Sequence, residues 1–112
     1  MNQLTLNEEI LLLAIWKLKY NAYPVSIRDE VMKMTNRNLV YGTLYRSLDY
    51  VQKKGYVVSK RGEPTAERGG KGKLFFKLTD SGITALLKAR ELHQSIWDDI
   101  NTVSLENSKA KS

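Results

Sequence analysis

Between Leu39 and Gly55 the apolar residues recur at helical spacing: Leu44, Leu48 and Val51 fall at i, i+4 and i+7, with Val40 beside them. The opposite side carries Gly42, Arg46, Asp49, Tyr50 and Lys53, and Thr43 and Tyr45 lie on its flanks. The pattern predicts an amphipathic helix over about residues 39–54. Lys53-Lys54-Gly55 closes it, cations suiting the negative end of the helix dipole and glycine the left-handed position beyond the last turn. One side packs into a core. The other offers donors, rings and positive charge, as does a helix that meets base edges and phosphates in a DNA major groove. An ordinary solvated face has the same periodicity, so the rest of the chain must decide between them.

The segments before this helix read as two more. Met1 to Leu4 is expected to be a loose arm. Thr5-Leu6-Asn7-Glu8 has the capping-box form, and helix is expected from there to about Lys19. Its middle, Ile10 to Trp16, is apolar on every side, so part of that surface is expected to meet another subunit. Pro24 drives Tyr23 toward extended geometry, and Val25 is a candidate for a very short strand. Ser26, with Asp29 three residues on, is the expected cap of a second helix whose buried stripe is Ile27, Val31 and Met34. Met32 and Met34 read as core filling. Thr35-Asn36-Arg37-Asn38 then breaks the pattern, which makes a helix-turn-helix candidate.

After Gly55 the period changes. Tyr56–Arg61 and Leu74–Thr79 are β-rich and alternate imperfectly, which predicts a pair of strands. Residues 62–73 between them hold four of the chain's seven glycines and one of its two prolines, the composition of a long hairpin tip. Thr79 or Asp80 caps a last helix, expected to run to about Thr102, with Ile83, Leu86, Leu87, Ala89, Ile96, Trp97, Ile100 and Val103 as its apolar band. A helix of that length outreaches a small domain, so its distal half needs a partner, most simply a second copy about a two-fold axis. Residues 104–112 carry no pattern and are expected to be disordered. Helix, helix, helix, strand, hairpin, strand, long helix is the order of a winged helix-turn-helix domain (5–79) followed by a dimerisation helix (80–103). The class is α+β, mainly α.

Charge changes the picture most. The chain of 112 residues has a formal net charge of +6. Nine Lys or Arg and three acids lie between Arg46 and Lys77, so that third carries the whole excess. Such clustering is the footprint of a surface for a polyanion, nucleic acid ahead of acidic membrane; a surface merely tuned for solubility intersperses the signs. Lys71 and Lys73, alternating with glycine, suit a sugar-phosphate backbone, as does Arg68 beside them. The chain has no cysteine, which fits a reducing cytoplasm. Ile10–Trp16, its longest apolar run, is too short to span a bilayer, and no signal leader is expected before it.

Two blocks carry a resemblance. Gly42-Thr43-Leu44-Tyr45, with Leu48 and Lys54-Gly55-Tyr56, and the run from Gly70 to Gly82, GKGKLFFKLTDSG, resemble the PadR-like transcriptional regulators. The likeness covers about residues 8–102. It implies a winged helix, a homodimer joined by its first and last helices, and repression by binding a near-palindromic operator in double-stranded DNA. It would set Thr43, Tyr45 and Arg46 on the recognition helix and Lys71 and Lys73 on the wing. Phe75 and Phe76 stand where the family often has two tyrosines, and Val25-Ser26 where it often has Tyr-Gly.

Catalysis has little to draw on. The single histidine, His93, lies one turn before Trp97 on the last helix and reads as interface packing. No cluster with metal-ligand spacing and no phosphate-cradling loop motif occurs, so neither an enzyme nor a cofactor is expected. The expected DNA-contacting set is Thr43, Tyr45, Arg46, Tyr50, Lys53, Arg68, Lys71 and Lys73. Trp16, His93, Trp97 and Ile100 are the candidates for a dimer interface or, as the resemblance implies, for a slot that admits a small aromatic or phenolic effector. A winged helix used only for protein contacts is the remaining alternative.

Overall fold

The computed structural model describes residues 3–63 and 72–110. Helix α1 (Leu6–Leu18) begins at the expected capping box. The Glu8 amide donates to Thr5 Oγ1 at 3.1 Å and the Thr5 amide to Glu8 Oε1 at 2.8 Å, so two amides that a helix start leaves bare are both satisfied. Leu11, Leu12, Ala14 and Ile15 are buried, whereas Trp16 is 54% exposed, so one protomer leaves part of this apolar helix uncovered. Leu4, expected in a loose arm, instead packs against the core.

After a 3-10 turn (Lys19–Asn21) comes helix α2 (Pro24–Thr35). Two expectations fail here. Val25 is helical rather than in a strand, and Ser26 is the third residue of the helix rather than its cap. Proline at the first helical position, where no amide partner is needed, moves the start upstream and makes extended Tyr23 the boundary. Ser26 Oγ then accepts from the Tyr23 amide at 3.0 Å. The second helix ends at Asn36, left-handed at φ 54.

Helix α3 (Tyr41–Lys53) buries Leu44, Leu48 and Val51 as the spacing predicted. Val40 does not join that stripe: it is the extended residue before the helix and is 56% exposed, while Leu39 packs inward instead. Gly55 takes φ 81, the left-handed geometry expected of it. Strands β1 (Val57–Arg61) and β2 (Leu74–Leu78) pair antiparallel, from Val57 opposite Leu78 to Arg61 opposite Leu74. Val57, Phe76 and Leu78 face the core. The Phe76 amide also donates to the Ala22 carbonyl at 2.8 Å, which lays the α1–α2 connection along the sheet.

Helix α4 (Asp80–Ile96) is capped by Thr79, whose Oγ1 accepts from the Gly82 amide at 3.1 Å. Gly82 meets the turn after α3 so closely that a Cβ there would lie 2.2 Å from the Tyr56 carbonyl oxygen. Helix α4 stops at Ile96, short of the expected end near Thr102. Asp98 and Asp99 put negative charge at the negative end of the dipole, and Asp99 takes φ 63. Asn101 then caps a separate helix α5 (Thr102–Asn107), its Oδ1 accepting from Ser104, where disorder was expected. The radius of gyration, 17.6 Å, exceeds the roughly 13 Å of a compact domain of this size, and the longest extent is 61 Å. The distal part of α4 and α5 therefore project from the body.

One ion pair spans 46 residues to fix α1 against α3. Lys54 Nζ sits 2.8 Å from Glu8 Oε2, with the carboxylate buried and the ammonium mostly so. Burial raises the Glu8 pKa, but the Lys54 bond, the Thr5 bonds and the Lys54 charge outweigh it and hold the carboxyl below its ordinary 4.5. The bond to Glu8 raises Lys54 above its usual range, against the opposing effect of burial. A depressed carboxyl contributes stability that is complete above its unfolded pKa and is lost as the pH falls through its folded one. Glu8→Gln is expected to cost about 2 kcal/mol at pH 7 in urea unfolding, and the gap to the natural chain should close as the pH falls below 4.5. A gap unchanged at pH 3 would show that the charge has no part in it.

Candidate nucleic-acid interface

The outer side of α3 follows from its inner one. With Leu44, Leu48 and Val51 held in the core, Gly42, Tyr45, Arg46, Asp49, Tyr50 and Lys53 are all exposed, and Thr43 is half-buried at the edge. Arg46 Nη2 lies 3.3 Å from Thr43 Oγ1, a long bond that draws the guanidinium along the helix. Lys53 pairs with Asp49 at 2.9 Å, both side chains well exposed, so the pair adds little stability and its lysine is readily given up to another anion. Lys54 Nζ stands 4.4 Å from the Tyr50 ring centroid, placing Tyr50 beside a cation already committed to Glu8. Five of the eight expected contact residues (Thr43, Tyr45, Arg46, Tyr50 and Lys53) thus share one face.

The β1–β2 hairpin meets α3 at β1, where Gln52 Nε2 donates to Ser59 Oγ at 3.0 Å. Its neck is narrow: the Gly62 amide donates to the Lys73 carbonyl at 2.7 Å, and Arg61 Nη1 donates to the Gly72 carbonyl at 2.9 Å. A Cβ on Gly72 would lie 2.1 Å from the Gly62 carbonyl oxygen, so glycine is required there. Lys73, expected on a wing reaching for phosphate, leans back at the root, its Nζ 3.9 Å from the Tyr23 ring centroid. Tyr23 in turn meets Phe75 edge to face at 5.7 Å. Phe76 is buried in the core, where a hydroxyl would need a partner. Arg68 and Lys71 lie outside the described residues.

Two residues of this face escaped the reading of the sequence. Tyr41 stacks on Tyr45 one turn on, centroids 6.2 Å apart at 29°, and Arg28 of α2 places its guanidinium carbon 4.6 Å from the Tyr41 centroid. The i, i+4 spacing of the tyrosines was a usable signal. Arg28 gave none, because its reach across the α2–α3 turn exists only after folding.

The other candidate set separates in space. Trp16 and His93 line one groove of about 550 Å³ between α1 and α4, together with Leu13, Ile83, Leu86 and Leu87. Trp97 and Ile100 lie beyond the end of α4, exposed and off the groove wall. Within one protomer His93 Nε2 lies 2.9 Å from Glu9 Oε1 and ties α4 to α1, a contact its sequence position did not suggest. Among the described residues no group of three or more His, Cys, Asp or Glu is placed to hold a metal ion, and no helix is long and apolar enough to cross a membrane.

Gly42 stands in the first turn of α3 with nothing within 4 Å of where a Cβ would be. Packing does not demand a glycine there. Gly42→Ala is expected to raise stability by about 0.5 kcal/mol through helix propensity and a less mobile unfolded chain, read in urea unfolding. A loss of stability instead would mean that the fold requires the glycine.

Compared by sequence, the chain matches no protein-family model and none of the curated proteins. Compared by structure, it is similar to RosR of H. salinarum, at 20% identity and a TM-score of 0.68, over 94% of each chain. A PadR-like transcription factor from Bacteroides fragilis is 22% identical with a TM-score of 0.65, over 87% of this chain and 92% of that one. F93 from STIV, a winged-helix DNA-binding protein, is 17% identical with a TM-score of 0.66, over 89% of this chain and all of that one. The fold is therefore the winged helix, and the likeness to PadR-like regulators read in the two sequence blocks extends to the architecture.

Proposed function

We propose that the chain is a dimeric, sequence-specific DNA-binding transcriptional regulator, acting as a repressor. Residues 5–79 form the DNA-binding unit. Helix α3 enters the major groove with Thr43, Tyr45, Arg46, Tyr50 and Lys53 toward the duplex, and the hairpin tip, with Arg68 and Lys71, follows the adjacent backbone. Lys73 steadies the root of that tip from its seat on Tyr23. The observation that carries the reading is the outer face of α3: donors, rings and cations held outward by a buried stripe, in a chain whose next segment is glycine-rich and basic.

Helices α1 and α4 provide the contact between copies. Exposed Trp16, Leu87, Ile96, Trp97 and Ile100 give each protomer apolar surface that it does not itself cover. A two-fold axis there sets the two α3 helices about one turn of DNA apart, or a multiple of it, and calls for a near-palindromic operator. A second reading has one specific support: the groove lined by Trp16 and His93 is largely apolar with few polar groups, as suits a planar aromatic effector. Quenching of tryptophan fluorescence by a panel of phenolic compounds tests it, and silence from all of them would leave the groove to packing alone.

The roles divide by salt and sequence. Arg46→Ala is expected to weaken binding to a selected operator by about tenfold or more while changing binding to random DNA much less. Lys71→Ala should weaken both alike and make the salt dependence shallower by about one unit of slope. Equal losses from the two variants on both kinds of DNA would overturn this assignment, and a chain that binds no duplex at low salt would overturn the function.

A further inference from the structure

We infer that Arg28, Tyr41 and Tyr45 form one recognition element, in which Tyr45 packs against the C5-methyl group of a thymine in each operator half-site and Arg28 positions it. This rests on the proposed DNA-binding function and adds to it the base that is read. Arg28 holds two things at once. Its Nε donates to the Leu39 carbonyl and its Nη2 lies 3.4 Å from Asn38 Oδ1, so the guanidinium edge fastens the turn that leads into α3. Its central carbon stands 4.6 Å from the Tyr41 ring centroid. Tyr41 is therefore engaged by a cation and by the Tyr45 ring 6.2 Å away.

The consequence is an ordered apolar surface at the leading end of α3. Tyr41 and Tyr45 are 39% and 53% exposed, so the stacked rings remain open to a partner. Rings have two side-chain torsions and lose little entropy when fixed, and here the fixing has been done before any partner arrives. In a major groove the one apolar feature of a base edge is the thymine methyl group, which apolar side chains contact. Polar base edges have other readers on this helix, in Arg46 and Thr43. The exposed ring pair, Tyr45 immediately before Arg46 and Tyr41 one turn before Tyr45, fits the methyl group, and the Arg28 cation against Tyr41 helps to fix the pair.

The test separates this from the wider reading. Duplexes bound by the full chain are selected from random DNA, and each thymine of the half-site is then replaced by uracil, which lacks only that methyl group. One thymine should prove sensitive, with a loss of about fourfold per half-site, the worth of one buried methyl group. Tyr45→Ser and Arg28→Gln should each bring the thymine-to-uracil ratio near one, while Tyr41→Phe, which keeps the stack, preserves it. A role for Arg28 in stability alone would weaken binding to both duplexes equally and leave the ratio intact, which overturns its positioning role. Sequence-specific binding by the natural chain that tolerates uracil everywhere overturns the inference and spares the function. A selection that yields no duplex overturns both.

Discussion

Everything on the outer face of α3 depends on the seating of its inner one. Leu44, Leu48 and Val51 are almost fully buried, in one cluster with Leu11, Leu12 and Ile15 of α1 and with Val57 of the sheet. Three side chains spaced over two turns fix both the axis of a helix and its rotation about that axis. Rotation by one residue would turn Leu44 outward and Tyr45 inward, at about 100° per step. The core thus decides which residues solvent, or a duplex, can reach.

The two ends of that helix are held by different physics. At the C-terminal end the Lys54–Glu8 pair joins α3 to α1 in a half-dry setting, where a charge left alone would be costly. At the N-terminal end there is no side-chain cap, since Val40 has nothing to offer the bare amides. Arg28 leaves those amides bare but fastens the turn before them, donating to the Leu39 carbonyl. The helix is anchored by a long-range contact at each end, one ionic and one a charge-assisted hydrogen bond. Both anchors come from helices that precede it, so its orientation is set by the first half of the chain.

Most of the architecture was legible because local and global signals agree. The Thr5–Glu8 box, the α3 stripe apart from Val40, Gly55 and the paired strands all have short-range signatures, and each lies where it was expected. The errors occurred where two local rules competed. At Pro24 the first-turn preference of proline overrode the capping preference of Ser26, and it removed the short strand at Val25. Past Trp97 the apolar positions continue at helical spacing through Val103, but Asp98 and Asp99 oppose the dipole and Asn101 starts a new helix. Periodicity records which residues share a side and is silent on a break that keeps the phase. The site was legible as a face but not as a set of contacts. Arg28 on Tyr41, Lys73 on Tyr23 and His93 on Glu9 join residues 13 to 84 positions apart, and no pattern along the chain encodes such pairs.

The same break in the last helix bears on how two copies would meet. A straight helix to Thr102 would offer a single long seam. The structure instead gives a helix of 17 residues, then a turn and a short helix, with Ile96, Trp97, Ile100, Val103 and Leu105 exposed along them. In the proposed dimer, the exposed side chains on the two sides of this break would meet the other copy in two directions and not along one straight line. The acids that end α4 therefore bear on the shape of the proposed dimer contact as well as on the length of the helix.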